Sequence, residues 1–174
     1  MFRYERQLDM IKRVLEAKGI EVEFRPASKG DIEYLRGLLY PESVIEFYEH
    51  AEPSEWVDLY GIQLNTIADI WGENENTLPG DRAFALGYGN IASTDEGDTY
   101  CVDINSVNGQ DEPAVVRVSH AIDEFMPDSE VLRHIHRVCD TFGDFLESFA
   151  KGELPSQLEH RGKRGSNRRT HSVS

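Results

Sequence analysis

The chain has 174 residues, a formal net charge of −14 and two cysteines, Cys101 and Cys139. This length suits one domain with a proper core, and two cysteines are too few for a disulfide scaffold, which points to a reducing, cytoplasmic setting. No stretch approaches the ~20 consecutive apolar residues of a membrane-spanning helix, and the opening Met1-Phe-Arg-Tyr-Glu-Arg6 lacks the apolar core of a signal peptide.

Tyr4, Leu8, Ile11 and Leu15 fall at helical spacing, so an amphipathic helix is predicted from about Arg3 to Lys18, stopped by Gly19. Ile20, Val22 and Phe24 alternate with Glu21 and Glu23 and read as a strand closed by Pro26. A short helix is predicted over Asp31–Leu38. A second starts at Pro41, buries Val44, Phe47, Tyr48 and Ala51, and ends at Pro53. Strands are expected at Trp56–Leu59 and Ile62–Leu64. Thr66 and Asp69 have the spacing of a capping box for a helix that buries Ile67, Ile70 and Trp71. Residues 73–81 read as a polar loop.

Phe84, Leu86 and Tyr88 then alternate, as do Tyr100, Val102 and Ile104. Period-2 alternation predicts two half-buried strands with a long loop of small and acidic residues between them. An Asn108-Gly109 turn leads to a third central strand at Ala114–Val118. Residues 121–130 read as a loop, and Val131–Val138 fits a short helix or a strand. Thr141 and Asp144 cap a last helix with Phe142, Phe145, Leu146 and Phe149 on its buried face. The folded domain is therefore expected over residues 1–155, and residues 156–174 as a disordered basic tail. The fold class is α+β, a central, mostly antiparallel sheet with packed helices.

Charge along the chain is uneven. Between Gly37 and Val116, Arg82 faces sixteen Asp and Glu residues as the sole Lys or Arg; after His160, Arg161, Lys163, Arg164, Arg168 and Arg169 occur with no acid. An acidic body repels phosphates, which argues against direct nucleic-acid binding. It suits a basic protein partner, because complementary charge speeds encounter, and it also maintains solubility. The tail could touch an anionic surface, lie back on the acidic body and compete with a partner, or remain a solvated end.

Candidate chemistry is sparse. Gly87-x-Gly89-x-x-Ala92 imitates a dinucleotide fingerprint, but Ser93-Thr-Asp-Glu-Gly-Asp98 supplies no helix to hold a pyrophosphate. Asp103–Gly109 misses the register of a calcium loop and reads as an Asx turn. His134 and His136 share a face only on a strand, with no further ligand suggested. Cys101, His120 and Cys139 could form a thiol site, yet Cys101 lies mid-strand, where an inert thiol is the simpler reading. Asp98 and Asp103 face opposite sides of one strand, so Asp98 is expected to cap its turn through backbone N–H groups. No catalytic, cofactor-binding or metal residues are assigned, and the chain is read as a binding protein without cofactor.

Tyr40-Pro-Glu-Ser-Val-Ile-Glu-Phe-Tyr48, Phe84-Ala-Leu-Gly87, Gly97-Asp-Thr-Tyr-Cys-Val-Asp103, Ala114-Val-Val-Arg-Val-Ser-His120 and Thr141-Phe-Gly-Asp-Phe-Leu146 follow one another over about residues 28–152. In order and spacing this set resembles the SUKH superfamily, which includes bacterial immunity proteins and the yeast cell-wall synthesis regulators. Pro41, Phe47, Gly87, Gly97, Asp98, Asp103, Phe142, Phe145 and Leu146 carry the resemblance as structural positions. Tyr40 stands where Leu is usual, and Ala51-Glu-Pro53 where an Asn-Gly turn is common. The resemblance implies an α+β fold and a non-catalytic, immunity-type protein that neutralises a toxin, for example a nuclease, by binding it. The alternative is a regulatory or scaffold module with a housekeeping partner. Asp95, Glu96, Asp111 and Glu112, expected in exposed loops, are the candidate partner contacts.

Overall fold

Six strands that follow one another along the chain lie side by side in that same order. The computed structural model describes the backbone of residues 1–172 and the side chains of residues 1–163.

The first helix, α1 (Glu5–Ala17), buries Leu8, Ile11 and Leu15 along one stripe. Strand β1 is only Phe24–Arg25, shorter than the predicted strand, because its partner β2 (Glu52–Pro53) offers two residues. Between them lie α2 (Lys29–Gly37), capped by the Ser28 hydroxyl, and α3 (Glu42–Ala51), for which Pro41 is the residue before the first turn. Strands β3 (Val57–Leu59) and β4 (Ile62–Leu64) form a hairpin. Helix α4 (Ile67–Asn76) opens on the expected capping box, with Thr66 and Asp69 bonding reciprocally. It runs on into the predicted loop because Asn74 is buried and bonded: its amide donates to the Tyr40 hydroxyl and its carbonyl accepts the Asn90 N–H. Trp71, expected in the core, is half exposed.

The stretch after Pro79 departs most from expectation. Residues Gly80–Ala85 form the short helix α5, which takes Phe84 out of any strand. The chain turns at Gly87, where φ is +94°. Strand β5 (Tyr88–Thr94) then occupies what reads as a loop. Alternation at Phe84, Leu86 and Tyr88 cannot be told from a helix end followed by a turn. The real strand is masked because its inward polar residues are satisfied by partners remote in sequence. Asn90 donates to the Ala92 carbonyl and the Thr99 hydroxyl, and receives the Asn65 amide at 2.8 Å. Such a buried polar group is tolerated only when bonded.

Strands β6 (Thr99–Val107) and β7 (Pro113–Val118) follow, with β7 where predicted. Helix α6 (Asp128–Val131) passes through a single 3-10 turn into β8 (Ile135–Cys139), so the ambiguous segment is helix first and strand second. His134 lies in the turn and His136 on β8, so the two do not share a strand face. Helix α7 (Phe142–Lys151) is capped by Thr141, and α8 (Pro155–Ser172) ends the described chain.

The sheet runs β3-β4-β5-β6-β7-β8 with every pair antiparallel, and the fold is a single α+β domain. Two faces alternate along β6. Tyr100 and Val102 point into the main core with Val115, Phe142, Phe145 and Phe149; Cys101 joins Val116, Val118, Ala83, Ile122 and Val131 on the other side. Helices α4 and α5 pack over β5. Each face is thus covered, in keeping with the short runs of buried residues on both sides of β6 and β7.

Residues from Ser156 to Lys163 are not the free tail expected from composition. They form the first turns of α8, because Ser156 and Gln157 are buried and hydrogen-bonded. Residues 173 and 174 of that tail lie outside the described residues.

Candidate functional site: an acidic hairpin under the last helix

The β5–β6 hairpin turns through Asp95-Glu96-Gly97. The Gly97 N–H donates to the Thr94 carbonyl at 3.1 Å, the Thr94 N–H donates to the Asp98 carbonyl at 2.9 Å, and Gly97 has a φ of +96°. This is the three-residue loop that places its last residue in the left-handed region, where glycine carries no Cβ penalty. A Cβ there would also meet the Cβ of His120 at 3.3 Å.

The β3–β4 hairpin turns beside it through Tyr60 and Gly61, both at positive φ. The Asp58 carboxylate accepts the Gly61 N–H at 3.2 Å, the Gly61 carbonyl accepts the Asp95 N–H at 3.1 Å, and the Asp95 carboxylate accepts the Gln63 amide at 3.2 Å. The two turns therefore form one ledge. A cleft of about 500 Å³ beside it is lined by Lys18, Ile20, Asp58, Tyr60, Asp95 and His160.

Helix α8 lies over this ledge. The Lys18 ammonium sits 4.1 Å from the centre of the Tyr60 ring and the Arg161 guanidinium 4.9 Å, so two cations share one aromatic ring. Lys163 pairs with Glu96. His160 lies over Gly61. Glu159 accepts two hydrogen bonds of 3.1 Å from Arg117, whose Nε donates to Asp98 at 2.8 Å.

Asp98 ties this cluster to the sheet. Its other oxygen accepts the His120 N–H at 2.8 Å and the His120 imidazole Nδ1–H at 2.5 Å. Burial pushes its carboxyl up, but the two His120 bonds and Arg117 outweigh that and hold it below the usual range. Asp98 does cap by accepting a backbone N–H; the N–H is that of His120, just beyond β7, and not one of its own turn. Arg117 is held protonated, first by Glu159 and then, against the cost of burial, by Asp98.

The other sequence-selected residues separate from this site. Asp111, at a φ of +60°, accepts the Ser43 N–H at 3.0 Å, and Glu112 accepts the Phe142 N–H at 3.1 Å and the Tyr4 hydroxyl. Glu112 is buried, which corrects its reading as an exposed loop contact. Both acids close helix N-termini, of α3 and α7, where unpaired N–H groups attract negative charge. Asp95 and Glu96 remain exposed on the ledge. Asp103 is half-buried and bonds the Asn105 N–H, while Pro41, Phe47, Phe142, Phe145 and Leu146 are buried in packing positions.

The structure does not bring the three groups of the thiol reading together: Cys101 packs with Val116 and Val118, Cys139 packs against the main core, and the His120 imidazole is bonded to Asp98. Burial pushes both Cys101 and Cys139 up to about 12, so at neutral pH both are protonated and poor nucleophiles. Cys101 lies on the sheet face opposite Tyr100.

Sequence reasoning missed Arg117, Glu159 and Tyr60. A signal for Arg117 was present: in Ala114-Val-Val-Arg-Val118 it shares the main-core face with Val115, and an inward arginine requires a carboxylate. Nothing local marks Glu159 as that carboxylate, 42 residues away.

No protein-family model matches the chain, and no curated protein sequence matches it either. Among the described residues, no helix is long and apolar enough to cross a membrane.

Proposed function

We propose that the chain is a non-catalytic, SUKH-like protein-binding module of the immunity type, which neutralises a basic toxin, such as a nuclease, by covering it. The observation that carries this reading is how the cations are used. Arg3, Arg6, Arg36, Arg82, Arg117 and Arg137 are each paired with carboxylates of the same chain, while Lys12, Arg13, Lys29 and Arg133 are exposed and make no ion pair among the described residues. Glu33, Glu55, Glu75, Glu124 and Glu130 are exposed and paired with no described cation. The molecule thus presents carboxylates in excess, with Asp95 and Glu96 on a built ledge that already accommodates cations. A basic partner gains both steering and pairing there.

Co-purification of the tagged protein from its host, washed first at low and then at high salt, tests this. One basic, toxin-like partner lost as salt rises is the expected result. A housekeeping partner would favour a scaffold role, and recovery of no basic partner even at low salt would sink the proposal. With a partner in hand, replacing Asp95 by Asn and Glu96 by Gln should slow association and flatten its salt dependence.

A further inference from the structure

We propose that the basic end of α8 is a tethered, releasable cover on the hairpin ledge, which an incoming basic segment must displace. The contact itself stands on geometry; that its competitor is a protein partner rests on the function proposed above.

Helix α8 is held in two different ways. Its first turn is fixed: Ser156 meets the Tyr100 hydroxyl at 2.9 Å, and the Gln157 amide donates to the carbonyls of Leu59 at 3.0 Å and Phe149 at 2.9 Å, all buried. Glu159 next accepts two hydrogen bonds of 3.1 Å from the part-buried Arg117, and beyond it the helix is held by exposed groups. Arg161 stacks on Tyr60 and donates to the Gly152 carbonyl at 3.2 Å, and Lys163 pairs with Glu96. Both side chains are exposed, and Leu158, the one large apolar side chain nearby on α8, is 53% exposed, so no apolar seam holds this part.

Exposed ion pairs are weak and screened by salt. A segment anchored a few residues away nevertheless acts at high effective concentration and occupies the ledge when nothing else does. The affinity of a free competitor is then lowered by the fraction of molecules in which the cover is lifted. What the ledge receives from α8, an arginine on Tyr60 and an ammonium on Glu96 two residues later, describes the competitor: a basic segment with closely spaced cations. The remaining Arg164, Arg168 and Arg169 extend the same character.

Two measurements on the full chain test this. In the first, trypsin cleavage after Arg161, Lys163 and Arg164 is timed at about 20 mM and about 300 mM salt. Wild type should be cut several-fold more slowly than Glu96→Gln at low salt, with the gap closing at high salt; equal rates at low salt overturn the cover. In the second, a fluorescein-labelled octalysine peptide is titrated by anisotropy into wild type, into Arg161→Gln with Lys163→Gln, and into Lys12→Gln with Arg13→Gln. The last changes net charge equally without touching the ledge. The α8 variant should bind roughly fivefold or more tightly than both others. Octalysine that binds the two variants alike, or binds none, overturns the cover. Because this probe needs no natural partner, failure here is separable from a co-purification that finds none.

Discussion

Among the described residues, Leu39, Tyr60 and Asp111 are the non-glycine residues at positive φ, and Leu39 is the aliphatic one. Its φ is +65°, its N–H donates to the Arg36 carbonyl at 3.0 Å, and the next N–H, of Tyr40, reaches back to the Leu35 carbonyl at 3.2 Å. This pattern closes α2 as a Schellman motif, in which the left-handed position favours glycine. A leucine there places its Cβ against the following carbonyl, and its side chain is 74% exposed, so little burial offsets the strain. Leu39→Gly should therefore raise stability by about 0.5–1 kcal/mol despite the entropy glycine adds to the unfolded chain. A urea midpoint that stays level or falls would show that Leu39 makes a compensating contact.

Among the elements, the loop before β7 has an unusual economy: neighbouring acids close different helices. Asp111 takes an N–H of α3 and Glu112 takes one of α7 while also holding Tyr4 just ahead of α1. Burial, followed by the Glu112 bond, pushes the Tyr4 hydroxyl up, which keeps it a donor. Removing Glu112 leaves a buried phenol and a helix N–H unpaired at once. Glu112→Ala should cost about 2–3 kcal/mol in denaturant unfolding. Glu96→Gln breaks only an exposed pair and should leave the midpoint where it is. Equal losses in the two variants would mean that Glu112 is no more structural than Glu96.

For the whole molecule, acid stability is governed by two opposing charge effects. Lowering the pH from neutral relieves the repulsion of a chain with net charge −14. The carboxyl of Asp98, held below its ordinary value by His120 and Arg117 despite burial, works the other way. A carboxyl depressed by folding contributes stability that is fully present above its unfolded value, about 3.9, and is lost as pH falls through the folded value. Comparing wild type with Asp98→Asn isolates that part. The gap between their unfolding midpoints should be widest near neutrality and should narrow below about pH 4. A gap constant down to about pH 2 would show that ionisation of Asp98 is not what the fold uses.

Much of this architecture is legible in the chain alone because it is set locally. The α1 stripe, the Thr66–Asp69 capping box, the Thr141 cap, the Asn108 turn and the β-branched run of β7 depend on residues within a few positions of one another. Hydrophobic periodicity and side-chain-to-backbone bonds act at that range. The α+β class and the acidic character of the body follow from the same signals. What only the tertiary structure decided is where polar residues find partners. Asn90 makes β5 a strand because Asn65, Asn74 and Thr99 meet it inside. Glu112 leaves the surface because Tyr4 and Phe142 reach it. Ser156 and Gln157 turn an apparent tail into an anchored helix because Tyr100 and two carbonyls, from Leu59 and Phe149, await them. A buried polar group is settled by its bond, and in each of these cases the bonding partners that settle it include some a long way off in sequence.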